Sequence, residues 1–162
     1  MAVAELIGAT VGVIILVLVA YILVGSTLST AQTVAEAQKD LTLMDESRIR
    51  TDIAISNPSG NGDMFTFDIN NTGSEVISDF THMDLLVNNG TADYAEYTYT
   101  KTFTGVPGTW TIDSFNQNLH PGELDPGETI SCNATAYAGD PPVWFQVTTG
   151  NGVYTSARIT YP

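Results

Sequence analysis

The chain has 162 residues and sets 18 Asp plus Glu against 5 Lys plus Arg, a formal net charge of −13. That balance excludes nucleic-acid binding by phosphate neutralisation, since no basic patch exists to release counterions. A single cysteine excludes an intrachain disulfide framework and a cysteine-built metal site.

Despite the acidity, the mean hydropathy is +0.07. Charge is unevenly spread: no charged residue lies between Glu5 and Glu36, and the first basic residue is Lys39. Leu6 to Gly25 reads LIGATVGVIILVLVAYILVG, with Thr10 and Tyr21 its only hydroxyls. Its length matches a hydrocarbon core of about 30 Å at about 1.5 Å per helical residue. A secretory signal would have a basic n-region and a shorter apolar stretch; here nothing basic precedes the run. The reading is a retained helix, embedded in a membrane or in a bundle of its own kind.

Val34, Ala37, Leu41 and Met44 continue one helical face, with Glu36, Lys39, Asp40, Glu46 and Arg48 on much of the remainder. The helix is therefore expected from about Ala2 to about Asp45, roughly 65 Å. Ala4, Gly8 and Gly12 form a small-xxx-small ridge suited to close helix–helix approach. Glu5 sits at the helix start, where the dipole favours an anion. It is either an interfacial carboxylate or one that enters a bundle and pairs with a neighbour's terminal amine.

From Ile49 the period changes to two. The predicted inward rows are Ile49–Thr51–Ile53–Ile55, Phe65–Phe67–Ile69, Met83–Leu85–Val87, Tyr97–Tyr99–Lys101–Phe103, Ile130–Cys132–Ala134, Val143–Phe145–Val147 and Val153–Ala157–Ile159. Turn signals separate them, beginning with the N-P-S-G-N-G of Asn57–Gly62. The expected fold class is α+β: a long N-terminal apolar α-helix (1–48), then an antiparallel immunoglobulin-like β-sandwich of about seven strands (49–162). Ile49 to Pro162 holds 13 of the acidic and 3 of the basic residues, a charge of −10.

Chemistry is sparse. His82 and His120 fit no metal spacing such as HExxH, and no serine lies in GxSxG. His82 and Asp84 are read as a surface pair on one strand face. Asn57–Asp63 offers oxygen ligands without the EF-hand pattern and reads as a hairpin turn. Cys132 reads as a buried, inert thiol. No catalytic residue, metal or cofactor is implied, so the chain reads as a non-enzyme. Sequons begin at Asn70, Asn89 and Asn133. Asn89 lies at a turn and Asn133 within a predicted strand.

An uncharged N-terminal helix with an early glutamate, followed directly by a β-sandwich, resembles the archaeal type IV pilin superfamily. Three stretches resemble the archaellum (archaeal flagellum) accessory proteins FlaF and FlaG. They are Arg50-Thr51-Asp52-Ile53; Asn71-Thr72-Gly73-Ser74 with Asp84-Leu85-Leu86-Val87 downstream; and Leu119 to Glu128, LHPGELDPGE. The R-T-D stretch is the more FlaG-like. The resemblance implies a structural motility component at the cell surface. Its helix would be anchored in the cytoplasmic membrane, associating with further copies or with pilin-like subunits. Its extracellular β-sandwich would bind the S-layer or a partner archaellum protein. The lysine and arginines after the helix weigh the other way on orientation. Archaellins and adhesion pilins share the architecture, so the alternative is a filament subunit whose helix packs in the filament core. Those proteins are made with a basic leader. The sequence displays none, as for an uncleaved accessory protein or one given in mature form.

Overall fold

A computed structural model describes residues 2–90, 93–116, 120–139 and 141–162. Thr91 of the Asn89 sequon and Leu119 of the LHPGELDPGE stretch lie outside the described residues. The chain divides into two compact units, Met1–Met44 and Asp45–Pro162.

Helix α1 runs over Ala2–Arg50, 49 residues without a break. No proline interrupts it, and it carries Glu5 in its first turn and Arg48 and Arg50 in its last. Those charges complement the helix dipole. Mean hydropathy reaches 2.8 over its most apolar stretch, none of which is buried in the molecule. Its hydroxyls fold back onto the helix. Thr10 Oγ1 donates to Leu6 O at 2.9 Å, Thr27 Oγ1 to Leu23 O at 3.0 Å and Thr30 Oγ1 to Ser26 O at 2.9 Å. This suits an apolar surrounding, which offers no water to satisfy them.

The expected strand row at Ile49 is displaced by this helix. Ile49 lies in its last turn and is 84 % exposed, and the extended chain begins at Ile53. Strand β1 (Ile53–Asn61) passes straight through the N-P-S-G-N stretch that was expected to turn. A bulge between Ser56 and Ser59 absorbs the irregularity, with Asn57 at φ 53°, a left-handed conformation that asparagine tolerates. The Asn57 amide donates to Asp68 Oδ2 at 2.7 Å, so Asn57 serves the strand pair. The turn falls at Gly62–Asp63, where Gly62 supplies φ 61°.

The remaining strands are β2 (Met64–Asn71), β3 (Asp84–Asn88), β4 (Tyr94–Tyr99), β5 (Thr109–Asn116), β6 (Thr129–Thr135), β7 (Trp144–Thr148) and β8 (Tyr154–Arg158). Seven antiparallel strands were expected; the described residues form eight, in one sheet of order β1-β2-β6-β5-β4-β3-β7-β8. All neighbours pair antiparallel except β4 and β5, which run parallel through Thr98–Thr109 and Tyr99–Trp110. The two ends of this order approach each other. Ser59 bridges Thr160, and Gly60 N–H donates to Thr160 O at 2.9 Å. A side chain at Gly60 would collide with the Tyr161 ring. The sheet is thus nearly barrel-like, and the overall class is α+β.

The extra strand is β5. Its inward residues Trp110 and Ile112 start an alternation, but a bulge between Ile112 and Ser114 reverses it. Lys101 and Phe103, expected in the fourth row, are exposed beyond the end of β4.

Inside the sheet, β2 lies across from β7. Phe67 and Phe145 have ring centroids 4.6 Å apart, and Phe65 lies 5.5 Å from Phe145 and 6.1 Å from Tyr97. Phe65, Phe67, Ile69, Leu85, Ile130, Cys132, Phe145 and Val147 are essentially solvent-free. Each full burial of this kind contributes about 1.5–3 kcal/mol against exposure.

Candidate functional site: an apolar helix and the knot at its exit

Two features stand out. The first is the helix surface. Among the described residues Glu5, Gly8 and Gly12 are exposed, and nothing lies within 4 Å of where a Cβ would sit on either glycine. Ala4, Gly8 and Gly12 fall on one helical face by their spacing of four.

The second feature is a hydrogen-bonded knot where the helix ends. Thr51 Oγ1 donates to Ser47 O at 2.8 Å and closes the last turn. The free carbonyl of Arg50 accepts from Ser74 N–H at 2.8 Å and Glu75 N–H at 3.2 Å. The Asp52 carbonyl accepts from Thr72 and Gly73 N–H at 3.0 Å each, and its carboxylate accepts from Thr72 Oγ1 at 2.8 Å. This geometry requires glycine at 73: a Cβ there would lie 2.5 Å from Arg50 O and closer still to the Asp52 nitrogen. The Arg50 guanidinium reaches Glu75 at 3.4 Å and Glu46 at 3.6 Å. Both pairs are partly exposed, so they add little to stability.

Asn71 fastens the knot to a third segment. It is 1 % exposed, yet each of its polar groups has a partner. Its amide nitrogen donates to Glu75 O at 2.7 Å and Leu124 O at 2.9 Å, and its Oδ1 accepts from Gly73 N–H at 3.1 Å. Its backbone N–H donates to Glu128 O, and its carbonyl accepts from Gly127 N–H. Ile77 and Leu124 exchange backbone hydrogen bonds at 3.1 and 2.8 Å. Thr51 is held from the far end of the chain, its Oγ1 accepting from Asn151 Nδ2 at 2.6 Å. The R-T-D-I, N-T-G-S and P-G-E-L-D-P-G-E stretches, distant in sequence, therefore meet in one place. Asp84–Val87 lies apart from them in β3.

In the sequence Asn71 stands out only as the first residue of the N-T-G-S stretch, with no role of its own. A completely buried asparagine in a turn sequence has no local signature.

The histidines pair locally. His82 closes a 3-10 turn (Phe80–His82), and its Nδ1 meets Asp79 Oδ2 at 2.6 Å. The ring is therefore partnered with Asp79 and not, as expected, with Asp84. Hydrogen bonds from Thr81 and His82 hold the Asp79 carboxyl below its ordinary range. His120 Nδ1 lies 3.0 Å from the buried carboxylate of Asp125, which raises the imidazole pKa, with Glu123 and Glu128 adding to the effect. His120, Glu123 and Asp125 bring one ligand atom each within 4.8 Å of one another, a donor set able to hold a divalent ion. Their i, i+3, i+5 spacing in a proline–glycine turn is no motif, and sequence reasoning missed it. Cys132 is buried between neighbours on β6, and desolvation pushes its thiol far above the ordinary range.

At the sequons, Asn70 Nδ2 donates to Ser56 Oγ at 2.9 Å and its Oδ1 accepts from Thr129 Oγ1 at 2.7 Å. Asn133 is half-buried in β6, which lies between β2 and β5, and Asn89 follows β3.

No protein-family model matches the chain, and no curated protein matches it significantly. Solved structures do align with it. The archaellum periplasmic stator protein FlaG from Sulfolobus acidocaldarius is 16 % identical, with a TM-score of 0.48 over 66 % of this chain and 97 % of that one. The archaellum periplasmic stator protein complex FlaF and FlaG from the same organism aligns at 18 % identity and a TM-score of 0.49, over 65 % of this chain and 85 % of that one.

Proposed function

We propose that this chain is a non-enzymatic structural component of the archaellum, of the FlaF/FlaG accessory type. The observation that carries the reading is the knot at the helix exit. R-T-D-I, N-T-G-S and P-G-E-L-D-P-G-E, taken from the stretches that resemble those accessory proteins, join in a single hydrogen-bonded feature, from which Asp84–Val87 stands apart. Each alone is an ordinary turn sequence; their joint use in one feature is what supports the reading. In this reading α1 anchors the protein in the cytoplasmic membrane and associates with further copies or pilin-like subunits through Ala4, Gly8 and Gly12. Glu5 sits at the helix start, at the interface or against a partner's amine. The β domain stands outside the membrane and binds the S-layer or a partner archaellum protein. Any glycan goes on Asn89 before Asn70 or Asn133, since the latter two are strand residues of the sheet.

Mass spectrometry of sheared surface filaments beside the membrane fraction tests the proposal. The protein is expected in the membrane fraction, in amounts far below the filament subunit. Stoichiometric presence along sheared filaments would overturn it in favour of a filament subunit. Replacing Gly8 and Gly12 together by Leu is expected to weaken self-association, read by energy transfer between labelled copies in bilayers. Unchanged transfer would remove the small-residue ridge from the proposal.

A further inference from the structure

On the outer face of β4, β3, β7 and β8, cross-strand pairing sets Tyr94, Asn88, Trp144 and Arg158 side by side in one row. Their neighbours Val87, Phe145 and Ala157 belong to the core side, so the row faces outward. Tyr94 is 65 % exposed and stands edge-on to Trp144 at 5.9 Å and 82°. With Gly90 and Val143 these four residues line a concavity of about 360 Å³. Asn88 forms its floor, held by Asp93 O and by Gly90 N–H at 2.9 Å each.

Arg158 is the telling residue. From Ile49 onward the chain has 13 acidic residues and only Arg50, Lys101 and Arg158 as bases. Arg50 is paired, whereas Arg158 has no carboxylate partner among the described residues. A guanidinium left without a counter-charge in so acidic a domain, beside two aromatic rings in a concave site, is chemistry suited to an anionic ligand with an apolar face.

We propose that this row binds a carboxylate-bearing saccharide unit, a uronic acid within a glycan chain. The positively polarised C–H face of the sugar ring lies on the negative π face of Tyr94, with Trp144 standing beside it at a near-right angle. Its carboxylate accepts hydrogen bonds from Arg158. The concavity is near the small end of ligand sites, the size for a sugar ring or two and not for a folded partner. The net charge of −10 also opposes an acidic protein surface, while a single carboxylate at Arg158 escapes most of that repulsion. This inference does not depend on the archaellum reading.

The test titrates the full chain in detergent micelles with a uronic-acid trisaccharide, a neutral hexose trisaccharide and an acidic pentapeptide, following acrylamide quenching of tryptophan fluorescence. Trp110 is buried, so quenching reports on Trp144. The uronic-acid sugar is expected to protect Trp144, and the neutral sugar to do so more weakly. Arg158→Gln is expected to weaken the former by about tenfold, the scale of one lost charge-assisted hydrogen-bond partner, and to leave the latter unchanged. Tyr94→Ala should abolish both. The wild-type preference for the acidic sugar should also shrink at about 1 M salt, which tests Arg158 without a variant. Three outcomes overturn the proposal: no protection by either sugar up to about 10 mM, a weak-binding limit near −3 kcal/mol; equal binding of acidic and neutral sugars; or protection by the peptide equal to that by the uronic-acid sugar, which would mark a protein contact instead.

Discussion

The first 44 residues and the remainder of the chain solve the same physical problem in opposite ways. The β domain removes its apolar side chains from water by itself, around Phe65, Phe67 and Phe145. The helix unit does nothing of the kind: Leu6, Leu16, Ile22 and Leu23 are each more than half exposed. It completes only what an apolar surrounding cannot supply, namely its backbone hydrogen bonds and the hydroxyl partners of its threonines. One region carries its core within, and the other is finished by whatever surrounds it.

The sharpest way to break that contrast is to damage one side and watch the other. Phe67→Ala should cost the β domain about 3–5 kcal/mol, read as a lowered thermal midpoint. The helical signal in detergent should persist; joint loss of both would mean that the two regions fold as one. Leu16→Arg should do the reverse. A charge at mid-helix costs about 2.5–3.5 kcal/mol of membrane insertion, measurable in a translocon assay, with the β-domain midpoint unmoved. Gly73→Ala probes the last helical turns, because the added methyl must displace the backbone of Arg50 or Asp52. It should cost the β domain about 1–3 kcal/mol, read as a lowered thermal midpoint, and raise hydrogen exchange at Ser74 and Glu75 first.

The smallest effect is electrostatic. His120 has a raised pKa in the folded state, caused first by its hydrogen bond to Asp125. Its contribution to stability is therefore complete below the unfolded value of 6.5 and is lost as pH rises through the higher folded value. A pH series of unfolding midpoints should fall slightly across that window in the wild type and not in His120→Ala.

The same contrast governs what could be read in advance. The helix was legible because a charge-free run of that length admits few alternatives. Its end was not, since Ile49, Thr51, Ile53 and Ile55 alternate like a strand while Ile49 and the residues before it remain helical. Two of the seven inward rows, Phe65–Phe67–Ile69 and Ile130–Cys132–Ala134, lie wholly on strands, because a sheet with one buried face writes period two into its sequence. The rows through Leu85, Phe145 and Ala157 overrun their strands at Met83, Val143, Val153 and Ile159, and Val143 is exposed where it was expected inward. Strand β5 escaped because the bulge at Asp113 shifts Phe115 out of the alternation begun by Trp110. The parallel pairing of β4 with β5 also escaped, since two residue pairs leave no pattern. Of the candidate site, the small-residue ridge could be read from spacing alone. The knot could not, because it joins segments some twenty and some seventy residues past the helix end.

The knot has a mechanical consequence. The Arg50 and Asp52 carbonyls each accept two N–H donors from Thr72 to Glu75, while Asn71 ties that turn to Leu124 and Glu128. Tension arriving along the last helical turns meets these bonds together and not one after another. Bonds loaded in parallel share the force and fail as a group, so within Asp45–Pro162 the last helical turn is held by the β domain as one of its own parts.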